Sequence, residues 1–286
     1  MSQGKTILLF DVSNLCYRAW FTTGGLSHEG EATGVVFGVL REIELRIEMH
    51  NSPRVVFAFD YGGAGLRSDI YPEYKAHRHT KDMTEEEEAS FKEFKLQVKK
   101  LYRKVLPDMG FKNVFVRRGY EADDIIAHYA ALVEKPDDAI IVSTDNDLWQ
   151  CLKQNVICFN PISKKVLTAA EFMNQWGIDP VQWATVKAAA GCSSDNVQGI
   201  RGVGDKTAAK WIRGELKAGS AKAQAIEDGI GIVSNNMKLV KLPYPGLELP
   251  DLIDDETSES KKDEVYASMG FRGRRPAAVK RGPIDV

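Results

Sequence analysis

The hydrophobic pattern along the chain is of two kinds. Short runs dominated by apolar residues recur at 6–10, 54–59, 112–116, 139–143 and 155–159. Runs of this length suit strands of a parallel sheet buried on both faces. Between them, apolar residues recur at three- and four-residue steps, which predicts helices. One helix covers 32–49, with Val35, Val36, Val39, Leu40, Ile43 and Ile47, and Ser52-Pro53 breaks it. Another starts at Glu85-Glu86-Glu87-Glu88 and carries Phe91, Phe94, Val98, Leu101, Tyr102 and Val105 on one face. Lys99, Lys100, Arg103 and Lys104 crowd its end, and acids first with bases last suit the helix dipole. A third helix runs from 122 to about 133, and from Thr168 onward the pattern stays helical. No internal repeat is visible.

Strands alternating with helices predict an α/β fold: a mainly parallel central sheet flanked by helices. Right-handed crossovers place the strand C-terminal ends on one edge, where ligands bind in such folds. Acids fall at that edge. Asp11 closes the first run, Asp60 the second, Glu121, Asp123 and Asp124 follow the third, and Asp145 and Asp147 the fourth. One acid after a strand reads as a turn or helix cap. Acids delivered by four strands to one rim read as a two-metal site for phosphoryl chemistry. In Glu121-Ala122-Asp123-Asp124 three carboxylates crowd a helix start, and Glu121 and Asp124 share a face. Their repulsion is offset only in part by the helix N-terminus, and a hard divalent cation would supply the rest. Taken alone, this stretch reads equally well as a solvated, charged first turn.

A second constellation is Gly199-Ile200-Arg201-Gly202-Val203-Gly204, followed by Asp205-Lys206-Thr207-Ala208-Ala209-Lys210. It has the form of a helix–hairpin–helix. A tight glycine turn opens backbone N–H groups toward a phosphate, and Lys206 and Lys210 add charge one turn apart. Such contacts grip the backbone without reading sequence. The P-loop spacing is absent. Asp195, just before it, is either a loop cap or a further acid facing the metals.

Composition adds little. Of 286 residues, 43% are hydrophobic and 27% charged, with a net charge of −2, so global charge does not announce a nucleic-acid binder. Cys16, Cys151, Cys158 and Cys192 form no C-x-x-C pair, which suggests free thiols in a reducing compartment. No signal peptide and no membrane-length apolar stretch is seen, and the expected location is the cytoplasm. His28, His50, His77, His79 and His128 show no ligand spacing.

With these residues in view, the chain resembles the 5′ nuclease family: phage flap endonucleases and 5′–3′ exonucleases, and the 5′ nuclease domain of bacterial DNA polymerase I. The resemblance is carried by Tyr71-Pro72-Glu73-Tyr74-Lys75 with Arg78, by Gly119-Tyr120-Glu121-Ala122-Asp123-Asp124, by Ser143-Thr144-Asp145-Asn146-Asp147, and by Asp195-Asn196 before the glycine hairpin. It implies a PIN-like nuclease domain over 1–167, with an arch at about 67–105 through which single-stranded 5′ ends pass. A helical DNA-binding region over 168–250 and a polar to basic tail over 251–286 follow. It implies one Mg²⁺ served by Asp11, Asp60, Glu121, Asp123 and Asp124, and a second by Asp145, Asp147 and Asp195, with Mn²⁺ able to substitute. Lys75 and Arg78 would be catalytic groups of the arch, with Lys75 meeting the scissile phosphate. Tyr74, Gly202, Gly204, Lys206 and Lys210 would touch DNA, the hairpin around a monovalent cation such as K⁺. The implied enzyme is a monomeric, phage-type hydrolase of DNA flaps, junctions and 5′ ends, able also to cut RNA in RNA–DNA hybrids.

One departure stands out. Where the family usually has G-D-x-x-D-N, this chain has Gly191-Cys192-Ser193-Ser194-Asp195-Asn196. A thiol is a poor ligand for Mg²⁺, which predicts a weakened second site or one favouring Mn²⁺. The basic end, 272–281, reads as a solvated tail, with auxiliary DNA contact the alternative. Two rival functions are a PIN-like ribonuclease and a non-catalytic, structure-specific DNA-binding protein.

Overall fold

A computed structural model describes residues 4–50, 52, 54–61, 65–76 and 83–271. The central sheet has strands β1 (Thr6–Asp11), β2 (Arg54–Phe59), β3 (Val114–Val116), β4 (Asp138–Val142), β5 (Val156–Phe159) and β6 (Val166–Leu167). Their spatial order is β3-β2-β1-β4-β5-β6. All neighbours are parallel except β6, which pairs antiparallel with β5. The sequence reading missed β6, because a two-residue edge strand leaves no periodicity to read. It also drew the third strand from 112, whereas β3 begins at Val114.

Side chains of a strand alternate between faces, and the core divides accordingly. Leu8, Phe10, Phe57, Phe59, Ile140 and Val142 face one layer, and Ile7, Leu9, Val56, Ala58, Ala139 and Ile141 face the other. Phe10 pairs in register with Phe57, and their rings stack with centroids 5.6 Å apart. Each such buried ring contributes on the order of 1.5–3 kcal/mol.

The first layer holds α1 (Val12–Thr23), α2 (Gly34–His50) and α4 (Glu85–Lys100). A π-type turn, Leu101–Val105, continues α4 toward β3. The layer also holds the last helix among the described residues, α11 (Glu259–Ser268), through Val265, Tyr266 and Met269. The chain to Phe271, assigned from sequence to a polar tail, is therefore docked. The Phe271 ring meets Phe37 at 5.1 Å. The basic stretch 272–281 lies outside the described residues.

The second layer starts with α5 (Ala122–Leu132) and continues into the helical half. That half comprises α6 (Ala169–Trp176), α7 (Trp183–Ala190), α8 (Asp205–Ile212), α9 (Ala221–Asp228) and α10 (Ile230–Val240). One hydrophobic cluster runs from Ile125 and Leu148 through Phe172, Trp183 and Ala208 to Leu239. The helical half thus packs directly on the sheet. The short α3 (Leu66–Ile70) lies over the strand C-terminal edge, where the Leu66 N–H donates to the Gly119 carbonyl at 3.0 Å. Among the described residues no helix is long and apolar enough to cross a membrane.

Candidate active site

Strand order explains why distant acids meet. β3, β2, β1 and β4 are consecutive in space, so the acids after them stand in a row: Glu121, Asp60, Asp11, Asp145. The chain runs outward from β1 to β3 and then returns to the other side of β1, which makes β1/β4 the switch point where such sheets bind ligands. Asp11 sits there, buried, and caps α1 by accepting the Asn14 N–H at 3.0 Å. Its other oxygen accepts the Ser143 hydroxyl at 2.7 Å, and Ser143 accepts the Asp145 N–H at 3.0 Å. Burial, then the charge of Asp60, pushes the Asp11 carboxyl up to about 7. Asp60 keeps an exposed edge and accepts the Ala122 N–H at 2.8 Å. Its carboxyl is raised by enclosure within the site and then by Glu121.

The Glu121 group splits into three roles. Glu121 accepts the Lys75 amine at 2.5 Å and the Tyr74 hydroxyl at 2.8 Å, with Arg67 at 3.3 Å. Burial opposes its ionisation, but Lys75 and Arg67 outweigh that and hold its carboxyl below the usual range. Asp123 is raised well above the usual carboxylate range by burial and then by Asp124 and Glu121. Its Oδ1 is buried with no hydrogen-bond partner among the described residues. Asp124 differs. It is fully buried, and its oxygens accept Arg67 Nη1 at 2.7 Å and Nη2 at 2.8 Å, the Tyr244 N–H at 2.7 Å and the Glu121 N–H at 3.1 Å. Its acceptor positions are taken, so the expectation that it binds metal gives way to an anchoring role. Arg67 is itself buried and donates from Nε to the Leu239 carbonyl at 2.7 Å. It ties α3, α5 and the end of α10 together.

Tyr74 is a second correction. Expected to touch DNA, it is only 7% exposed, and its hydroxyl points at Glu121. Lys75 beside it has a φ of 54°, and its N–H donates to the Asp195 carbonyl at 2.9 Å. That left-handed kink turns its amine to within 3.7 Å of the Asp195 carboxylate. Arg78, the other proposed arch group, lies outside the described residues, as do His77 and His79.

The remaining acids come from the loop after β4 and the turn after α7. Asp145 caps the 3₁₀ turn Asn146–Cys151 by accepting the Asp147 N–H at 2.9 Å. Asp147, Cys192 and Asp195 each offer an atom within 4.8 Å of the others, a spacing that suits one cation. Burial, then Asp145, pushes Asp147 up to about 6, while Lys187 opposes the shift. Lys187 is buried on α7 with its amine 3.1 Å from Asp147. Cys192 is buried, its sulfur 3.0 Å from the Ser194 hydroxyl. Burial, then Asp195 and Asp147, raises its thiol. An aromatic cluster fixes this half: Trp183 packs Trp149 at 5.1 Å and Trp176 at 4.7 Å, joining α7 to the Asp145–Asp147 loop.

The glycine hairpin stands apart from the acids. Ile200 and Val203 are buried and joined by a turn bond of 3.0 Å, while Arg201, Gly202 and Gly204 are exposed. Gly202 has φ of +80°, a conformation side chains disfavour, and Gly204 caps α8 without a side chain. Nothing lies within 4 Å of a Cβ placed at either glycine, so the turn is open on that side. Lys206 and Lys210 are exposed on the same helix.

Sequence reasoning missed Arg67 and Lys187. The one available signal for Lys187 was a lone lysine inside the apolar run 183–190. The donor set fits divalent cations: oxygens predominate, the buried Oδ1 atoms of Asp123 and Asp147 have no hydrogen-bond partner among the described residues, and the carboxyls of Asp11 and, despite Lys187, Asp147 are raised.

A mostly parallel sheet gathers acids from four adjacent strands at one edge, and a helical half packs beside it. Residues 6–177 match the family described as 5'-3' exonuclease, N-terminal resolvase-like domain. A 5'-3' exonuclease of Aquifex aeolicus is 32% identical over 211 residues, which cover 73% of this chain and 69% of that protein. A 5'-3' exonuclease of Buchnera aphidicola is 31% identical over 207 residues, or 71% of this chain and 68% of its own. The crystal structure of T5 D15 protein co-crystallised with metal ions superposes with a TM-score of 0.72 at 23% identity, covering 84% of this chain and 90% of that one. The chain belongs to the 5'-3' exonuclease family.

Proposed function

We propose that the chain is a divalent-metal-dependent, structure-specific 5′ nuclease that hydrolyses DNA phosphodiesters near 5′ ends, flaps and junctions. The observation that carries this reading is the row of carboxylates on four neighbouring strand ends. Asp11, Asp60, Glu121 and Asp123 would hold one Mg²⁺, and Asp145, Asp147 and Asp195 a second. Bound there, the ions would supply hydroxide near neutral pH and stabilise the leaving oxygen. The chain's own groups do the rest. Ser143 and Asn14 fix the Asp11 carboxylate, Arg67 fixes the helix start that presents Glu121 and Asp123, and Trp183 fixes the Asp147 side. Lys75 places a cation at the acidic rim to offset charge on a phosphate. The exposed hairpin at Gly202 and Gly204, with Lys206 and Lys210, would grip the duplex backbone, with K⁺ as the candidate cation there.

Incubation with a 5′-flap duplex in Mg²⁺ or EDTA tests the reading. Cleavage with Mg²⁺ alone is expected, and a DNA flap should be cut in preference to an RNA flap. Binding without cleavage would leave only a DNA-binding protein, and cleavage confined to RNA would make it a ribonuclease.

The raised carboxyls give a pH prediction. The fold favours protonated Asp11 and Asp147, so these groups cost the metal-free protein stability as pH rises from the usual carboxylate range through about 6 and 7. A divalent ion must displace those protons. The gain in melting temperature on adding Mg²⁺ should therefore be larger at pH 8 than at pH 5.5. Equal gains at both values would contradict it.

Cys192 bears on the second ion. Its raised thiol is neutral near pH 7 and adds no charge beside Asp147 and Asp195. Cys192→Asp should tighten the Mg²⁺ titration of cleavage by about tenfold, or ~1.4 kcal/mol, and shift Mn²⁺ less. Unchanged titrations with both ions would remove any role for the thiol.

A further inference from the structure

A second cationic site lies on the same edge of the sheet, away from the acids. A cavity of about 620 Å³ opens where α1 and α2 overhang β5 and the loop to β6. Its walls carry Arg18, Arg41, Arg46 and Lys164, and its floor is Phe159. Glu42 is the only acid among the described residues that line it. It accepts Arg46 Nε at 2.9 Å, with Arg18 at 3.4 Å and Lys164 at 3.6 Å. Arg41 is exposed at the mouth.

One carboxylate cannot balance these charges. Arg46 is 4% exposed and lies over the Phe159 ring at 4.3 Å, so the Arg46–Glu42 pair accounts for both of its members. Arg18 and Lys164 converge on the same carboxylate in excess. Like charges held together in a partly enclosed space are unfavourable unless an anion joins them. Burial and the neighbouring arginines act against the charge on Lys164, with Glu42 acting for it. The loop that carries Lys164 is built to hold it there. Asn160 accepts the N–H groups of Ile162 and Ser163, each at 2.9 Å, and Lys164 adopts φ of 59°.

Position ties the cavity to the catalytic edge. Phe159 ends β5, two strands from β1, or about 10 Å at normal strand spacing. The Ser143 N–H donates to the Phe159 carbonyl at 3.2 Å, and the Ser143 hydroxyl holds Asp11. On α1, Tyr17 and Trp20 face α4 through Phe94, whereas Arg18 faces the cavity. The cavity is thus separate from the arch side of α1.

We propose that this cavity is a phosphate-binding site that takes a phosphate of a nucleic-acid strand crossing the catalytic edge, or of a free nucleotide. The two sources share the chemistry of an anionic phosphate oxygen and a flat base, and the volume suits one nucleotide. The choice of ligand rests on the nuclease reading, whereas the affinity for an anion does not.

The test uses the full chain in EDTA, so that nothing is cut. A fluorescent 5′-flap duplex is titrated at salt concentrations from about 50 to 200 mM, and dAMP is titrated separately by calorimetry. The variant is Lys164→Asn with Arg41→Gln. Both positions are at least partly exposed, and asparagine tolerates the left-handed backbone. The control is Lys135→Glu on the opposite sheet edge, and thermal melts confirm folding. If a strand phosphate binds, the salt slope falls by about 0.7–0.9 for each phosphate the variant no longer engages. DNA affinity near 0.1 M salt then falls about five- to eightfold for each such phosphate, while the control matches wild type. If a free nucleotide binds, wild type takes up dAMP and the variant does not. DNA affinity, slope and dAMP response all equal in wild type and variant would overturn the cavity's role while leaving the nuclease reading intact. A wild type that binds dAMP through the cavity but not the flap would support the site and remove the strand phosphate as its ligand. A wild type that binds neither would overturn the site, and cleavage of the flap in Mg²⁺ decides the nuclease reading separately.

Discussion

Arg67→Ala should destabilise the fold by about 3–5 kcal/mol, because it strands a fully buried carboxylate. Asp124 has no exposed surface, and the two parallel bonds from Arg67 are its only charged donors among the described residues. The Tyr244 and Glu121 N–H groups remain, but dipoles do not replace a cation. The substitution also frees the Leu239 carbonyl at the end of α10. Arg67→Lys keeps the charge without the fork, so it should fall between alanine and wild type. The double variant Arg67→Met with Asp124→Asn removes both charges, and should recover at least ~1–2 kcal/mol relative to Arg67→Ala. Urea unfolding at constant slope measures all three. A cost under ~1 kcal/mol for Arg67→Ala would show that the buried pair is not the anchor described here.

What was legible in the sequence follows from where each constraint originates. The runs at 6–10 and 54–59 stand out because both faces of β1 and β2 are buried, which forces apolar residues at successive positions. The acids were legible because the end of a strand is a fixed place in this fold, so Asp11, Asp60 and Asp145 could be put on one edge without knowing their neighbours. β3 was overdrawn by two residues: the Lys112 N–H bonds to Asp255, and Asn113, whose carbonyl still accepts the Phe57 N–H, turns its side-chain amide to the Ile253 carbonyl. That partner segment is some 140 residues away, and no local pattern announces it. The same holds for Asp124. Its spacing from Glu121 looked like a ligand pair, but its fate is set by Arg67, 57 residues earlier. The docking of α11 on the core was hidden for another reason. Only Val265, Tyr266 and Met269 of that stretch are buried, too few to impose a helical period on a polar segment.

Lys75→Ala should reduce cleavage of a 5′-flap duplex by about 10²–10³-fold at saturating Mg²⁺, the scale set by losing one positioned charge-stabilising donor. The amine sits between Glu121 and Asp195, bonded to the first at 2.5 Å and 3.7 Å from the second. It therefore opposes a divalent ion for the same carboxylates. Removing it has two consequences of opposite sign. Divalent ions should bind more tightly, because a competing cation is gone. Turnover should fall, because the phosphate loses the Lys75 amine. A purely structural Lys75, present only to neutralise the acids, predicts a different pattern: metal would replace its charge, and the rate at saturating metal would return to that of wild type. Measuring the Mg²⁺ dependence of cleavage over a wide range separates the two. Near wild-type turnover at high Mg²⁺ would take Lys75 out of the reaction and leave the metal site to work alone.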